Sequence, residues 1–451
     1  MPQRPDDMEQ RRRRRAALEQ KRRKEQRQLR LKLALAAVIL LACVALVLFL
    51  TAGGEKSPAT AETVPGQPQY TIPPEEEATR VPDTPTTTIH IKAAGDLNIT
   101  DKVVQSGKAQ YGDYYDYTAA FLDVAPVLSA ADLTLLNLEG NLVGPPYGTD
   151  TASAPIELAQ ALSAAGVDIV QMANSYSIYN GMIGLSQTLN NLRSAGLEPV
   201  GAFSTPEEFQ KAKGYTICEI QGIKVAVVGF TKGMGSLGLP EGSESCVNKL
   251  YVDYDSEYKK IDKAGIRRIL EDVQSERPDI TIAMVHWGAE YNDTVFEAQE
   301  DIAELMIDEG VDIILGTHSH MVHRIDFNKK ESTLVAYSLG DFFGDGSKAG
   351  TAYSVILDIQ ITRDNDMGTT RIDSFTVTPI YTLSEAEGNG QRRVVRIDEA
   401  IAAYEVNFVD KVTEAAKDSM EYSLERIEAR LDPEAWEAKQ KALQEAENEA
   451  G

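Results

Sequence analysis

The sequence contains few cysteines and histidines: its 451 residues include three cysteines and five histidines. Cys43 lies within a hydrophobic run, which leaves Cys218 and Cys246. These two could form a disulfide or stay free, and their small number favours free thiols. The sequence also lacks an internal repeat of about 20–50 residues, which excludes a solenoid or a propeller.

The charge of the chain is distributed unevenly. Its overall composition, with 43% hydrophobic and 25% charged residues, is ordinary for a globular protein, but the formal net charge is −24. Residues 1–32 carry 13 basic and 5 acidic residues, a net of +8. The remaining residues carry 32 basic and 64 acidic residues, a net of −32. The two parts of the chain are therefore expected to face different surroundings.

Leu33 to Leu50 forms a run of 18 residues without a charge. As a helix it would be about 27 Å long, close to the roughly 30 Å hydrocarbon core of a bilayer. A cleaved signal peptide is the first alternative, but the run is longer than a signal core and Thr51–Gly54 is a poor cleavage site. A lipobox ending at Cys43 is the second, and Leu41 is too large for it. The sequence therefore predicts an uncleaved transmembrane helix over residues 33–51.

The flanking charges predict the orientation of this helix. The basic arm 1–32 is expected in the cytoplasm by the positive-inside rule, which places the main domain outside. A basic run can also bind nucleic acid, but beside a membrane segment attraction to anionic lipid is the simpler explanation. We therefore expect membrane lipid, and not nucleic acid, as the partner of this arm.

The residues after the helix fall into three regions. Residues 52–87 are rich in Pro and Thr and have few large apolar residues, which indicates a linker. Residues 88–385 alternate strand-like and helix-like runs, and residues 386–451 read as an acidic helical tail. Pro433 is expected to divide this tail into two helices that pack partly on the domain. A coiled coil is the less favoured alternative because the apolar spacing is irregular.

The strand and helix patterns of the domain alternate, which predicts an α/β fold with helices packed on sheets. Seven strands are expected before a final pair of strands without a long helix between them. The expected strands are Ile89–Ala94, Leu133–Leu138, Ile169–Met172, Lys224–Phe230, Ile280–Trp287, Asp312–Thr317, Thr333–Tyr337, Ala352–Ile361 and Ser374–Ile380. The expected helices are Ile156–Ala165, Ile183–Ala195, Thr205–Lys213, Ile261–Glu276 and Ala298–Glu309.

Polar residues lie just after several of these strands, where open α/β sheets place their ligand sites. Four of the five histidines fall in such segments. Acidic, amide and imidazole groups together suit Mn, Fe or Zn, held as one ion or as a pair. The candidate ligands are Asp96, Glu139, Asn174, His286, His318 and His320.

The order of these segments resembles the CapA family of capsule-synthesis proteins, which make poly-γ-glutamate capsules. The matching blocks are AAGDLN, NLEG, AN-x(6)-G, GAF, VHWGAEY, GVDIILGTHSH and YSLGDFF, spread over about Ile89 to Asp345. The family looks like a branch of the calcineurin-like metallophosphoesterases. The resemblance implies a metallophosphatase-like two-sheet α/β sandwich, with the six candidate ligands around a site for a divalent metal pair.

The chain departs from the family at positions that matter for catalysis. Where the family has a histidine and an aspartate after the conserved asparagine, this chain has Tyr176 and Tyr179. Tyrosine, with a pKa near 10, is a weak proton shuttle at pH 7. The later block keeps His318 and His320 but has Thr317 in place of a further histidine. Asp341 replaces an asparagine, and it could bind metal or only solvate a turn.

Two functions follow from these observations. The first is a membrane-anchored, extracytoplasmic, metal-dependent hydrolase or transferase of a capsule or other surface polymer, with Tyr176 or His323 as candidates for proton transfer. The second is a non-catalytic assembly or polymer-binding factor with a degenerate metal site. In both, the expected partners are a membrane polymer synthase or export complex and the polymer itself.

Overall fold

The computed structural model describes residues 85–109, 113–406 and 412–450. They form two β-sheets with helices on the outer faces. Within these ranges no helix has the length and apolarity needed to cross a bilayer. The predicted span Leu33–Leu50, the basic arm and nearly all of the predicted linker lie outside them.

The first sheet has the strand order β14-β13-β12-β1-β2-β3-β4, and β11 pairs with the end of β1. Strands β1 to β4 are mutually parallel, and β12 to β14 add an antiparallel half. Its strands are β1 (Thr86–Asn98), β2 (Leu133–Glu139), β3 (Ile169–Gln171), β4 (Glu198–Val200), β11 (Asp341–Phe343), β12 (Tyr353–Asp364), β13 (Thr369–Leu383) and β14 (Arg393–Arg396).

The second sheet has the order β5-β6-β7-β8-β10-β9, with a parallel centre from β6 to β10. All seven residues of β7 are buried, as expected for a central parallel strand covered on both faces. Its strands are β5 (Tyr215–Ile220), β6 (Ile223–Thr231), β7 (Ile280–His286), β8 (Ile313–Thr317), β9 (Ile325–Asn328) and β10 (Thr333–Ala336).

The helices cover the outer faces of the sheets and one end of the space between them. Helix α7 (Lys263–Ser275), for example, buries Ile266, Ile269, Leu270 and Val273, the i, i+3, i+4, i+7 stripe of an amphipathic helix. The helices are α1 (Asp101–Gly107), α2 (Thr118–Phe121), α3 (Ala125–Leu128), α4 (Glu157–Ala164), α5 (Gly181–Ser194), α6 (Pro206–Ala212), α7 (Lys263–Ser275), α8 (Glu297–Asp308), α9 (Ile397–Glu405), α10 (Glu414–Leu431) and α11 (Pro433–Ala450).

The apolar core between the sheets is built by inward-facing residues of both. Ile91 of the first sheet and Val227 and Ile282 of the second belong to this cluster, and all three are fully buried. Ala416, Met420 and Ile427 of α10 belong to the same cluster, so the C-terminal region packs into the core. Because each sheet presents an apolar face to the other, the predicted two-sheet sandwich is the observed architecture.

The predicted strands and helices of 88–385 are observed, with boundaries shifted by a few residues. The C-terminal region differs from the expected all-helical tail, because residues 393–396 form β14 at the edge of the first sheet. Pro433 is the first residue of α11 and separates it from α10, as predicted. Cys218 and Cys246 are both free thiols, which the sequence favoured but left open.

Candidate metal centre

The carboxyl ends of parallel strands from both sheets meet at one edge of the sandwich. Strands β1, β2 and β3 bring Asp96, Glu139 and Asn174 to this edge, and β7 and β8 bring the histidines. The two sheets touch directly here, because Nε2 of His286 lies 2.8 Å from Oε1 of Glu139. All six predicted ligands, Asp96, Glu139, Asn174, His286, His318 and His320, are at most 3% exposed.

Asn137 connects the three groups contributed by the first sheet. Its Nδ2 donates to Oδ1 of Asp96 at 2.6 Å and to Oε1 of Glu139 at 3.3 Å. Its Oδ1 accepts a hydrogen bond from Nδ2 of Asn174 at 3.2 Å. Sequence reasoning missed Asn137, although it lies two residues before Glu139 and therefore on the same face of the strand. It fixes the orientation of the two carboxylates.

The loop after β8 holds His318 and His320 in an uncommon backbone conformation. Both have positive φ, 90° and 60°, a region that non-glycine residues occupy at a cost of about 1–3 kcal/mol each. The backbone N–H of His318 donates to Oδ2 of Asp96 at 2.9 Å, which ties this loop to the first sheet. Strained backbone of this kind persists where surrounding contacts hold it, and here the contact is a buried carboxylate.

Asp341 joins the same cluster through a close approach of two chain segments. The N–H of Asp96 donates to the carbonyl of Gly340 at 2.9 Å, and a Cβ at Gly95 would overlap that carbonyl. This approach pairs Asp341 with Asp96 in register. As a result, Oδ1 of Asp341 lies 2.7 Å from Nδ1 of His320. Asp341 therefore faces the cluster and does not merely solvate a turn.

Lys232 brings a half-buried cation to the centre, and sequence reasoning missed it. Its Nζ lies 3.2 Å from Nε2 of His318 and donates to the carbonyl of Gly288 at 2.9 Å. It follows directly after β6, whose last residue, Thr231, places Oγ1 3.2 Å from Nδ1 of His286. The strand-end rule that identified the histidines would have found both residues.

Burial dominates the protonation of the carboxylates. Loss of hydration raises the pKa of Asp96 and of Glu139 to about 7, and it also raises the pKa of Asp341. For Asp96 the neighbouring charge of Glu139 adds to this effect. The site therefore holds three carboxylates that are expensive to ionise unless a cation accompanies them.

The pKa values of the three histidines shift in opposite directions. Burial lowers the pKa of His286 to about 3 and that of His318 well below its usual range. Burial acts on His320 in the same direction, but the carboxylates of Asp341 and Glu139 outweigh it and hold its pKa well above the usual range. His286 and His318 are thus neutral imidazoles, the form that binds metals.

The donor set fits a divalent metal ion. Two groups of three residues offer ligand atoms within 4.8 Å of one another: Glu139 with His318 and His320, and Asp96 with His320 and Asp341. In addition, Nδ1 of His318 is buried without a hydrogen-bond partner. Native proteins rarely leave such an atom unpaired. Oxygen and imidazole donors in this arrangement suit Mn, Fe or Zn.

The structure separates the two residues considered for proton transfer. Tyr176 lies at the rim of the cluster, where burial and then the charges of Glu139 and Glu290 raise its pKa. His323 is held elsewhere: its Nε2 lies 2.7 Å from the carbonyl oxygen of Asn292, and the charges that act on it are those of Arg430, Asp293 and Arg324. The position of Tyr176 therefore fits a role at the centre, and that of His323 does not.

These features define a class: an α/β protein with two sheets and a buried carboxylate–histidine cluster at its strand ends. The model of the bacterial capsule synthesis protein family, PGA_cap, matches residues 90–345. Because this match covers more than half of the sequence, the chain belongs to that family.

Two curated relatives of the chain are both named CapA. The chain is 31% identical to the capsule biosynthesis protein CapA of Bacillus anthracis over 223 residues, 49% of this chain and 50% of that protein. It is 27% identical to the PGA biosynthesis protein CapA of Bacillus subtilis over 272 residues, 58% of this chain and 64% of that protein. The chain thus spans half to somewhat under two thirds of these relatives.

Among solved structures, the chain is similar to a calcineurin-like phosphoesterase from Bacillus subtilis. The two are 17% identical, the match covers 75% of this chain and 99% of that one, and the TM-score is 0.38. A likeness at this level assigns no function to this chain.

Proposed function

We propose that this protein is a membrane-anchored, extracytoplasmic, metal-dependent hydrolase or transferase that acts during capsule or surface-polymer biosynthesis. The observation that carries the proposal is the buried cluster of three carboxylates and three histidines, which lies wholly within the family-matched residues. The transmembrane helix Leu33–Leu50 would hold the domain beside a polymer synthase or export complex, where it meets the polymer.

The residues that would hold the metal are Asp96, Glu139, His318, His320 and Asp341. Asn174 would complete the site through its amide, and His286 through its neutral imidazole. When bound, a divalent ion polarises the bond to be broken and lowers the pKa of water. The chain contributes the rest: Asn137 orients two carboxylates, and the buried walls exclude bulk water from the reacting groups.

The charge of the site favours one ion over a pair. When the ion is bound, Asp96, Glu139 and Asp341 supply three negative charges, Lys232 supplies one positive charge, and His320 is neutral because a ligating imidazole has lost its proton. A single divalent ion therefore brings the buried groups to neutrality, whereas a second would leave them positive. Glu290 also acts electrostatically on Lys232, but it is exposed to solvent and screened. Lys232 would then stand as the second cation beside His318.

A Lys232→Met variant tests this assignment. We expect the wild-type protein to bind about one divalent ion and the variant to gain capacity for a second, since a charge is removed beside His318. Mass spectrometry of bound metals after equilibrium dialysis against Mn²⁺ or Zn²⁺ measures the stoichiometry. Lys249→Met, which removes a lysine from outside the cluster, serves as the control. Two ions in the wild type would contradict the assignment.

Tyr176 limits the rate of hydrolysis, because it is a poor general acid. Its hydroxyl stays protonated because its pKa is raised, so it can donate a hydrogen bond to developing charge but cannot cycle a proton near pH 7. We expect Tyr176→His to raise the hydrolysis rate by about 100-fold, the usual contribution of a general acid. The assay compares metal-loaded protein on a phosphodiester and on a γ-glutamyl model substrate. Tyr179→His changes the exposed neighbouring tyrosine and is expected to have no effect.

The tyrosine also supports a second candidate, a non-catalytic assembly or polymer-binding factor. In that case the metal would be bound but neither model substrate would be hydrolysed, even by Tyr176→His. The same pair of assays therefore separates the two functions. Hydrolysis by the wild type would favour the enzyme.

A further inference from the structure

A groove of about 640 Å³ lies between the loop 346–352 and helix α10. Its lining carries three basic side chains, Lys348, Arg426 and Arg430, and one acidic side chain, Asp418. In a chain with a net charge of −24 this local excess of positive charge is unusual. A basic groove in an acidic protein focuses positive potential at one place on its surface.

Arg430 is only partly satisfied by the protein. Its Nη2 donates to Oδ2 of Asp293 at 3.3 Å, and its guanidinium lies 5.6 Å from the ring centre of Tyr353. Its Nε and Nη1 are buried and have no hydrogen-bond partner. The side chain is 11% exposed. Two unpaired donors on a largely buried guanidinium are costly, and a small shift of this side chain towards an anionic acceptor in the groove would satisfy them.

The groove leads towards the candidate metal centre. Met321, which lines it, directly follows His320. The Nζ of Lys348 lies 5.6 Å from the ring centre of Tyr291, and that ring stacks on His320 at 5.2 Å. An extended chain lying in the groove would therefore reach the cluster at His320.

Most of this groove lies outside the family-matched residues. Apart from Met321, its lining comes from residues 346–430, which follow the end of the match at residue 345. Helix α10 of the C-terminal region forms one wall of the groove, and it is packed into the core through Ala416, Met420 and Ile427. This region adds a surface that the family-matched residues do not supply.

We propose that this groove binds an anionic, carboxylate-bearing stretch of the polymer and directs it to the metal centre. The planar guanidinium groups of Arg426 and Arg430 match carboxylates in a paired geometry, and Lys348 adds a charge at the end nearest His320. The inference rests on the proposed function only where it takes the bound anion to be part of the surface polymer. The binding itself needs neither metal nor catalysis.

The test measures binding of a fluorescein-labelled γ-glutamyl decamer to the full-length protein in detergent, in the presence of EDTA. Fluorescence anisotropy at low salt gives the Kd. We expect the double variant Arg426→Gln/Arg430→Gln to raise the Kd about tenfold or more, since charge-assisted hydrogen bonds are lost. Lys348→Gln is expected to have a smaller effect, and because Lys348 is exposed it should not disturb folding.

The matched control is Arg267→Gln/Arg371→Gln, which removes two arginines that are paired with Glu309 and Asp373. It should leave the Kd unchanged. A wild type that does not bind the decamer, a double variant with the wild-type Kd, or an equal loss in the control would each overturn the proposal. A polyphosphate of equal charge that binds more tightly through the same arginines would overturn the assignment to carboxylates. Absence of hydrolysis, by contrast, bears only on the proposed function.

Discussion

Replacing His320 with alanine is expected to reduce the affinity for divalent metal by at least about 100-fold. His320 belongs to both groups of ligand atoms: its ring lies 2.7 Å from Asp341, 3.7 Å from Asp96 and 3.8 Å from Glu139. No other side chain in the described residues reaches all three carboxylates in this way. Its loss therefore removes the ligand that both groups share.

The same substitution is expected to lower the stability of the metal-free protein. With its pKa raised, His320 is a cation among buried carboxylates, and removing one partner of a buried pair costs about 3 kcal/mol. Isothermal titration with Mn²⁺ and Zn²⁺ measures the affinity, and denaturant unfolding in EDTA measures the stability. Near-UV circular dichroism verifies that the variant remains folded, and Asp341→Asn provides a second variant at the same contact.

His90 is a matched control within the same chain. It is the one histidine outside the strand-end segments, its side chain is 45% exposed, and it pairs with Asp358 at 2.9 Å. His90→Ala should bind metal as the wild type does and lose little stability, because exposed pairs contribute about 0–1 kcal/mol. Equal metal content in His320→Ala and the wild type would remove the basis for the proposed metal centre.

The sequence was sufficient to predict the strands that build the site. Strands such as Ile280–His286 are mainly apolar runs that end in a polar residue. Such runs can be recognised from the local sequence alone. Because the carboxyl ends of parallel strands share one edge, the strand-end residues of each sheet were expected to meet. The structure brings all six predicted ligands to that edge.

Sequence reasoning left the role of Asp341 open and missed β14, because both depend on long-range pairing. Asp341 reaches Asp96 only because Gly95 and Gly340 allow two distant segments to touch, which no local pattern reveals. Strand β14 pairs with β13 only after the chain has folded. Lys232 and Asn137 were also missed, although both occupied readable positions: Lys232 directly follows β6, and Asn137 is the first residue of the block NLEG.

His323 was predicted near the site but lies away from it. It follows His320 by three residues, so proximity in sequence suggested a shared site. The backbone turns away after His320, and the bridge between Val322 and Leu339 carries the chain along the sheet edge. The side chain ends beside Asn292, on the side of Arg430.

Metal-free protein is expected to lose stability as the pH rises from about 6.5 to 8. Asp96 and Glu139 have folded-state pKa values of about 7, above their usual values near 4, so the folded state binds more protons than the unfolded state until the pH exceeds 7. His320, whose pKa is also raised, acts in the same direction above pH 6.5. Since the folded state holds the extra protons, the free energy of unfolding falls as they are lost.

The neutral histidines explain why the fall in stability is expected only above about pH 6.5. His286 and His318 have lowered pKa values, so below about pH 6.5 the unfolded state binds more protons than the folded state. Their contribution therefore rises with pH and opposes that of the carboxylates between about pH 4 and 6.5. Above pH 6.5 they are neutral in both states, and only the carboxylates and His320 continue to act.

Metal should reverse this dependence, because an ion and protons compete for the same ligand atoms. In EDTA we expect the free energy of unfolding to fall by about 2 kcal/mol between pH 6.5 and 8, and Tm by about 4 °C. With saturating Mn²⁺ or Zn²⁺ the stabilisation should grow over the same range. Differential scanning calorimetry at matched ionic strength measures both curves. A Tm in EDTA that rises between pH 6.5 and 8 would show that the buried carboxylates are already ionised and compensated in the metal-free protein.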